Sequence, residues 1–217
     1  MSNRDLGKQR RDYVAEPLRR SDLAAQPIEQ FQRWYADAEA HCHGYPNPMI
    51  LSTVDRTGQP QSRIVLLKSF SSQGFVFYTN YESKKAANIE SNSKVSLLFF
   101  WEALERQVIV TGSAARASGK EADQYFASRP RGSQISAHAS KQSSATPSRA
   151  HLEKQFQELH KQYEGQDVPR PKNWGGYLVK PTSIEFWQGQ PDRLHDRLIY
   201  SRTSETSTDW NIERLSP

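Results

Sequence analysis

The stretch Arg63-Ile-Val-Leu-Leu-Lys68 places four aliphatic residues between two cations. Such a run is typical of a strand buried on both faces, and cations rarely flank it unless an anion lies nearby. In a regular strand the side chains alternate, so Arg63 and Lys68 would point to opposite faces. The stretch therefore indicates either a bulge that redirects one of them or two separate anions. Two surface charges that close a strand are the alternative.

The composition is that of a folded chain with polar tails. The 217 residues suit one large domain or two small ones, of which one domain is favoured, and 35% hydrophobic residues exclude disorder throughout. The single cysteine, Cys42, excludes an internal disulfide and a cysteine-based zinc site. No apolar run approaches the roughly 18 residues of a membrane span, and residues 1–13 lack the apolar core of a signal peptide. We therefore expect a cytoplasmic protein.

The net charge of +5 suggests anionic partners, either polyanions or phosphorylated small molecules. The 29 Lys and Arg residues are scattered singly or in pairs, without a zinc-finger or RNA-recognition pattern. This distribution argues against nucleic acid, although a basic RNA-binding protein remains a weaker alternative.

Hydrophobic periodicity predicts a meander of short strands with flanking helices. The predicted helices are 27–42, 83–92, 119–128 and 151–164. The predicted strands are 49–54, 61–70, 75–79, 94–101, 106–117, 174–179, 183–187, 193–202 and 210–215. Five or six strands with short turns before residue 118 favour a closed or partly closed barrel.

Two lysines fall in the first turn of the helix predicted after Ser83. Lys84 and Lys85 oppose the helix dipole there, because a helix N-terminus already carries partial positive charge. A bound anion would remove the conflict, and the free N–H groups of the turn would bind the same anion. The pattern predicts a phosphate site, with a solvated lysine pair as the alternative.

Two further segments allow more than one interpretation. Residues 131–150 include six serines and read as a mobile loop, or as a loop that wraps a phosphate. In the strand predicted at 193–202, Arg193, His195 and Arg197 would share one face. They would repel each other unless an anion or a flat ring, for which Trp187 is a candidate, lies opposite. An exposed edge strand protected by charge is the alternative.

Motifs for catalysis by side chains alone are absent from the sequence. It contains no GxSxG, HExxH or GxGxxG pattern and no paired acid motif. Gln107, at the start of a strand, is a polar residue of the kind that reads the edge of a heterocycle, although such residues more often face water. Together with the cations and aromatic residues, this points to an aromatic, phosphorylated cofactor.

Ten segments resemble the pyridoxamine 5′-phosphate oxidase family, in the same order and over nearly the whole chain. They are RIVLLK from Arg63, FYTN from Phe77, SKK from Ser83, VSLLFFW from Val95, LERQV from Leu104, SRPRGSQIS from Ser128, SKQSS from Ser140, WGGY from Trp174, IEFWQG from Ile184 and RLHDRLIY from Arg193. The combination of RIVLLK with RLHDR is highly specific.

The resemblance implies a mainly β fold with flanking helices, an FMN-binding split β-barrel that is homodimeric, with FMN held at the subunit interface. It implies a single domain over residues 21–217 and a flexible N-terminal arm, residues 1–20, that closes over the site. The implied reaction oxidises pyridoxamine or pyridoxine 5′-phosphate to pyridoxal 5′-phosphate by hydride transfer to FMN, and O₂ is reduced to H₂O₂. A non-catalytic carrier of FMN or pyridoxal phosphate on the same barrel is the alternative.

The family's ligand contacts carry over to matched positions. FMN contacts are implied at Arg63, Ile64, Val65, Leu66, Leu67, Lys68, Tyr78, Thr79, Lys84, Lys85, Gln107, Gln142, Ser143, Trp187 and Arg197. Substrate contacts are implied at Arg10, Tyr13, Lys68, Tyr125, Arg129, Ser133, Arg193 and His195. No metal site is implied.

Among these positions the catalytic ones are Arg193 and His195. We expect Arg193 to stack over the substrate pyridine and His195 to orient its ring hydroxyl or exchange a proton. Arg197 is our candidate for stabilising the reduced flavin. Lys84 departs from the arginine usual in the family, which keeps the charge but loses the bidentate fork. Further departures are His138, Leu178 and the terminal RLSP.

Overall fold

The computed structural model describes residues Asp12–Pro217. Within them the α-helices are α1 (Pro27–His41), α2 (Lys84–Ser91), α3 (Gly119–Ser128), α4 (Arg131–Ala139) and α5 (Arg149–Gln162). The strands are β1 (Pro48–Val54), β2 (Pro60–Leu66), β3 (Ser69–Ser71), β4 (Gly74–Asn80), β5 (Lys94–Trp101), β6 (Arg106–Arg116), β7 (Trp174–Gln188), β8 (Asp196–Ser201) and β9 (Asn211–Leu215). In this part of the chain, no helix is long and apolar enough to cross a membrane.

The strands follow the order β2-β1-β5-β6-β7-β4-β3, and β8 pairs with both β7 and β9. The ladders β1–β2, β3–β4, β4–β7, β7–β8 and β8–β9 are antiparallel. The chain divides into two compact units. The first unit contains the described residues up to Pro46 together with Leu98–Val110 and Thr182–Pro217, and the second contains Asn47–Leu97 and Thr111–Pro181.

Each unit has its own apolar contacts. In the first, Trp34 of α1 packs edge-on against Phe186 of β7 at 5.2 Å between ring centroids. In the second, Phe126, Ile135, Val168 and Trp174 form a buried cluster. The predicted helices 27–42, 83–92, 119–128 and 151–164 are confirmed as α1, α2, α3 and α5, to within two residues at each end.

In the second unit, the β1–β2 hairpin contains the predicted strand 49–54 and the first part of the predicted strand 61–70. Its register runs from Pro48 opposite Leu66 to Val54 opposite Pro60. The turn between them is closed by Asp55, whose Oδ1 accepts the N–H of Thr57 at 2.9 Å. Gly58 adopts φ +87°, a backbone conformation that glycine reaches without a steric penalty.

The predicted strand 61–70 is wrong in two respects. It is broken after Leu66, where the N–H of Leu67 donates to Asn47 and the N–H of Lys68 donates to Val76. The chain therefore changes its pairing partner at the buried Leu67. Burial on both faces is also wrong, since Ile64 is 71% exposed in this chain. The residues of β2 instead alternate between half-buried and exposed.

The serine-rich segment contains a helix, α4, where the composition predicted a loop. Ile135 is fully buried in the cluster around Phe126 and Trp174. The side-chain amide of Gln134 donates to the carbonyls of Phe126 and Ala127 at 3.0 and 3.1 Å. These tertiary contacts outweigh the weak helix propensity of serine and glycine. Residues 140–148 carry no regular structure.

Two corrections apply near the C-terminus. β7 is one strand of 15 residues, whereas two strands, 174–179 and 183–187, were predicted. The strand predicted at 193–202 is shorter, because β8 begins only at Asp196. Asp192 and Arg193 both adopt positive φ, +54° and +61°, in a short 3-10 turn. The expected row of Arg193, His195 and Arg197 along one strand face is therefore wrong.

Candidate functional site

A cavity of about 910 Å³ lies in the second unit, between β2, β4, the start of α2, and the α3–α4 region. Its volume is at the upper end of the range typical of small-molecule sites. Many predicted ligand contacts line it: Arg63, Ile64, Val65, Leu66, Lys68, Tyr78, Thr79, Lys84, Lys85, Tyr125, Arg129, Ser133, Gln142 and Ser143. Residues that are distant in the sequence thus surround one cavity.

The charged side chains that line the cavity are positive. Five cations line it, namely Arg63, Lys68, Lys84, Lys85 and Arg129, and among the described lining residues none is Asp or Glu. Like charges in a partly enclosed space repel each other and lose hydration. The arrangement is stable when the occupant is anionic, and a phosphate ester has the required charge and acceptor atoms.

Lys85 is the most deeply buried of these cations, with only 8% of its surface exposed. Its Nζ donates to Thr79 Oγ1 at 3.2 Å, Ser83 Oγ at 3.3 Å and Gln142 Oε1 at 3.2 Å, all neutral acceptors. Burial, and then the charge of Arg63, lower the pKa of the Lys85 ammonium to about 8. Among the described residues, Lys85 is thus a buried cation whose hydrogen-bond partners carry no counter-charge.

The start of α2 adds backbone donors to the same wall. Ser83 occupies the N-cap position, but its side chain makes no capping hydrogen bond and instead accepts from Lys85. The first-turn N–H groups of a helix have no partner within the helix, and a bound anion satisfies them. Lys84 lines the cavity from this first turn.

The break after β2 decides how Arg63 and Lys68 are arranged. Arg63 is half-buried, and its Nη1 donates to Leu51 O at 3.1 Å and Thr53 Oγ1 at 2.8 Å. Burial lowers the pKa of this guanidinium. Lys68 lies beyond the strand end, and its Nζ is 5.8 Å from the Tyr125 ring centroid. Both cations line one cavity because the strand breaks between them, where a bulge had been considered. Leu67, a predicted FMN contact, is buried and does not line it.

Stacked aromatic rings form another part of the wall. The Tyr78 ring is nearly parallel to its neighbours Tyr125, at 4.2 Å between centroids, and Trp174, at 5.3 Å, and these two rings are themselves 6.1 Å apart. The Arg129 guanidinium lies 4.7 Å from the Trp174 ring centroid. Within the described part of the chain, Arg129 Nη1 is buried without a hydrogen-bond partner, and burial lowers the pKa of Arg129. Because an unpaired buried donor is costly, this nitrogen fits an acceptor supplied by a ligand.

Trp174 was missed as a site residue. The sequence marked it through the WGGY motif, yet no role was assigned to it.

Thr79 and Gln142 are joined on the same wall by a 3.1 Å hydrogen bond from Thr79 Oγ1 to Gln142 Oε1. Ser143 adopts φ +72°, an uncommon conformation for a residue other than glycine.

In the first unit, three rings form a separate group, which we call the aromatic cluster: Tyr13, Trp187 and His195. The Tyr13 ring lies edge-on to Trp187 at 5.7 Å and to His195 at 5.1 Å. The N–H of Gln190 donates to His195 Nδ1 at 3.1 Å. Burial, and then the charge of Arg193, lower the pKa of His195. A neutral imidazole that accepts at Nδ1 carries its proton on Nε2.

Arg197, also in the first unit, is engaged by protein groups. Its Nε and Nη2 donate to the two oxygens of Glu185 at 2.7 and 3.1 Å, and its Nη1 donates to Ser216 O at 2.9 Å. The hydrogen bond to Glu185 raises the pKa of Arg197.

Gln107 is half-buried near the start of β6. Arg10 lies outside the described residues.

Comparisons with known proteins find similarity to one family along the chain. Residues 37–163 match the family described as pyridoxamine 5′-phosphate oxidase, and residues 174–217 match the pyridoxine 5′-phosphate oxidase C-terminal dimerisation region. A pyridoxine/pyridoxamine 5′-phosphate oxidase of Rubrobacter xylanophilus is 49% identical over 100% of this chain and 98% of its own length. One from Shewanella frigidimarina is 51% identical over 98% of this chain and 99% of its own length.

Solved structures agree as well. PhzG of Burkholderia lata 383, determined in complex with tetrahydrophenazine-1-carboxylic acid, has a TM-score of 0.85 at 28% identity, over 94% of this chain and 99% of that chain. A pyridoxamine 5′-phosphate oxidase-related, FMN-binding protein of Nostoc punctiforme shares the fold with a TM-score of 0.69 at 14% identity, over 90% of this chain and 100% of that chain. The predicted fold class is confirmed. The chain belongs to the pyridoxamine 5′-phosphate oxidase family.

Proposed function

We propose that this chain is a flavin-dependent oxidase that converts pyridoxamine or pyridoxine 5′-phosphate to pyridoxal 5′-phosphate, with FMN as cofactor and O₂ reduced to H₂O₂. With the amine as substrate, water hydrolyses the imine that forms and ammonia is released. The observation that carries the proposal is the cavity wall of five cations without a described carboxylate. Family membership and the names of relatives about 49% identical over their full length support the same reaction.

FMN fits the part of the cavity around α2. We assign its phosphate to Lys84, Lys85, Arg63 and the first-turn N–H groups of α2, because Lys85 is buried there against neutral acceptors only. Bound FMN supplies the acceptor for the two electrons that leave the substrate. The chain contributes charge and position, with the apolar side chains of β2 lining the same space.

The substrate phosphate is assigned to Lys68, Tyr125, Arg129 and Ser133. Arg129 contributes most to this assignment, since its buried Nη1 has no partner among the described residues and its guanidinium lies near the Trp174 ring. A phosphate oxygen would satisfy this donor, and a charged hydrogen bond of this kind is worth about 1.5–3 kcal/mol.

Arg129→Ala should therefore raise KM for pyridoxamine 5′-phosphate by about 10-fold to 100-fold, with FMN content unchanged. Steady-state kinetics on flavin-saturated enzyme measure this effect. Arg131→Ala is the matched control, because Arg131 is exposed and bonds the carbonyls of Gln166 and Tyr163 outside the cavity lining. An unchanged KM in Arg129→Ala would contradict the assignment.

The residues of the first unit are assigned by the same proposal. We propose a homodimer in which Gln107, Trp187 and Arg197 contact FMN. Tyr13, Arg193 and His195 surround the pyridine. The match to a dimerisation region and the exposed Ile64 and Leu66 on β2 support two copies per functional unit.

The neutral His195 presents Nε2–H to the substrate ring hydroxyl. Arg197 is already paired with Glu185, so its net charge toward a flavin is reduced.

FMN binding should weaken as pH rises through about 8. The Lys85 pKa lies near 8 rather than at its ordinary, higher value, so the charge that attracts phosphate is present below that pH and lost above it. The dissociation constant should increase by up to about tenfold per pH unit above 8. Lys85→Arg stays charged and should bind FMN with a nearly flat profile. Fluorescence titrations at several pH values test this, and a flat wild-type profile would contradict it.

The reaction itself is tested anaerobically. The FMN-loaded protein should lose its yellow colour on addition of pyridoxamine 5′-phosphate and recover it on admission of air. The products should be pyridoxal 5′-phosphate, ammonia released by hydrolysis of the imine, and H₂O₂. A protein that binds FMN and substrate without bleaching would be a carrier, and the proposed function would be wrong.

A further inference from the structure

The N-terminal arm is held down by polar contacts. Glu105, in the first unit, accepts two of its backbone N–H groups on one carboxylate oxygen: Val14 N–H at 2.9 Å and Ala15 N–H at 3.1 Å from Oε2. Val14 is 84% exposed, so apolar burial does not fix this part of the arm. Two hydrogen bonds to a charged acceptor supply the attachment.

Two further side chains continue the attachment. The amide of Gln190 donates to the carbonyls of Ala15 and Glu16 at 3.2 and 3.3 Å. Asp196 Oδ2 accepts the N–H of Leu18 at 2.9 Å, and Leu18 is the buried apolar anchor of the segment. We call Glu105, Gln190 and Asp196 the arm clamp. Its bonds cover the backbone from residue 14 to residue 18.

Tyr13 directly precedes the residues that the clamp holds. A Cβ added at Gly189 would sit 2.3 Å from Tyr13 Cδ1, so only glycine leaves room for this ring. Tyr13 then lies edge-on to His195 at 5.1 Å. Gln190 connects the two parts, since its side chain holds the arm while its backbone N–H donates to His195 Nδ1.

Glu105 adopts an uncommon backbone conformation. Its backbone is left-handed, with φ +55°, and only 6% of the residue is exposed. A left-handed residue other than glycine is unfavourable, and such residues cluster at functional sites. The hydrogen bonds to Val14 and Ala15 place the Glu105 carboxylate against the arm.

We propose that Glu105 is a positioning residue that docks the arm and thereby sets Tyr13 against His195. This inference rests on the proposed function in assigning Tyr13 and His195 to the substrate. The attachment itself is a property of the protein that can be measured without turnover. Glu105 acts through the arm and does not touch the reactants.

Hydrogen exchange of the FMN-loaded, full-length protein tests the attachment. The Val14 and Ala15 amides should be protected in the wild type and exchange about tenfold or more faster in Glu105→Ala. Glu105→Gln keeps an acceptor without charge and should be intermediate, which also covers the case that the alanine variant fails to fold. Glu213→Ala, a change at an exposed residue of β9 in the same unit, should leave these amides unchanged.

Kinetics test the consequence. Glu105→Ala should raise KM for pyridoxamine 5′-phosphate by about tenfold, and combining it with Tyr13→Ala should add little, because both changes remove the same contact. Unchanged exchange at Val14 and Ala15, or fully additive effects of the two substitutions, would overturn the inference. If the wild type fails to oxidise the substrate, the proposed function is wrong, and hydrogen exchange alone decides whether the clamp holds the arm.

Discussion

Arg193→Ala is expected to lower kcat/KM for pyridoxamine 5′-phosphate by about a hundredfold, while FMN affinity changes by less than about threefold. Asp192 and Arg193 adopt positive φ in succession. Conformations of this kind cost on the order of 1–3 kcal/mol each and persist where the surrounding structure requires them. We infer that the turn presents the Arg193 guanidinium to the substrate pyridine. The planar face of the guanidinium would stack on the pyridine ring and orient it.

Three variants make this prediction specific. Arg193→Lys keeps the charge but not the planar face, so it should recover only part of the lost activity. Arg33→Ala removes an arginine from the exposed side of α1 in the same unit and should leave kcat/KM unchanged. Loss of FMN from Arg193→Ala, or full activity in that variant, would show that Arg193 does not serve the substrate.

Lys85→Met is expected to weaken FMN binding by about a hundredfold, the second large effect. The substitution removes a cation that is 8% exposed and that donates, within residues 12–217, to neutral oxygens, so the ligand phosphate loses a charged hydrogen bond. Titration of the ligand-free protein with FMN, followed by flavin fluorescence, measures the change.

The same substitution should raise the thermal stability of the ligand-free protein. A buried ammonium without a counter-charge destabilises the folded state, whereas methionine fills a similar volume at no electrostatic cost. Lys120→Met, at an exposed position of α3, serves as the control and should change neither property. Unaltered FMN affinity in Lys85→Met would place the phosphate elsewhere.

The parts of the fold that could be predicted depend on local rules. Gly58 marks the β1–β2 turn by its conformational freedom, and Lys84 and Lys85 stand out because they oppose a helix dipole. The missed elements depend on contacts across the sequence. Helix α4 forms because Ile135 is buried in the cluster with Phe126 and Trp174, and no property of the serine-rich segment reveals that packing.

The candidate site likewise contains residues that could be predicted from the sequence and features that could not. Residue types in the family motifs identified the cations that the structure places around one cavity. The break between Leu66 and Lys68 was not predicted, because it results from a change of pairing partner to Val76. Glu105 was not recognised either, since its bonds reach residues about 90 positions away in the chain.

The most direct test of the central claim compares FMN with riboflavin, which differs from it by the absence of the phosphate. Calorimetric titration of the ligand-free protein should give an affinity for FMN at least about a hundredfold higher than that for riboflavin, and Lys85→Met should reduce this ratio. Equal affinities for the two flavins would contradict the proposal that the cations of this cavity bind a phosphate ester.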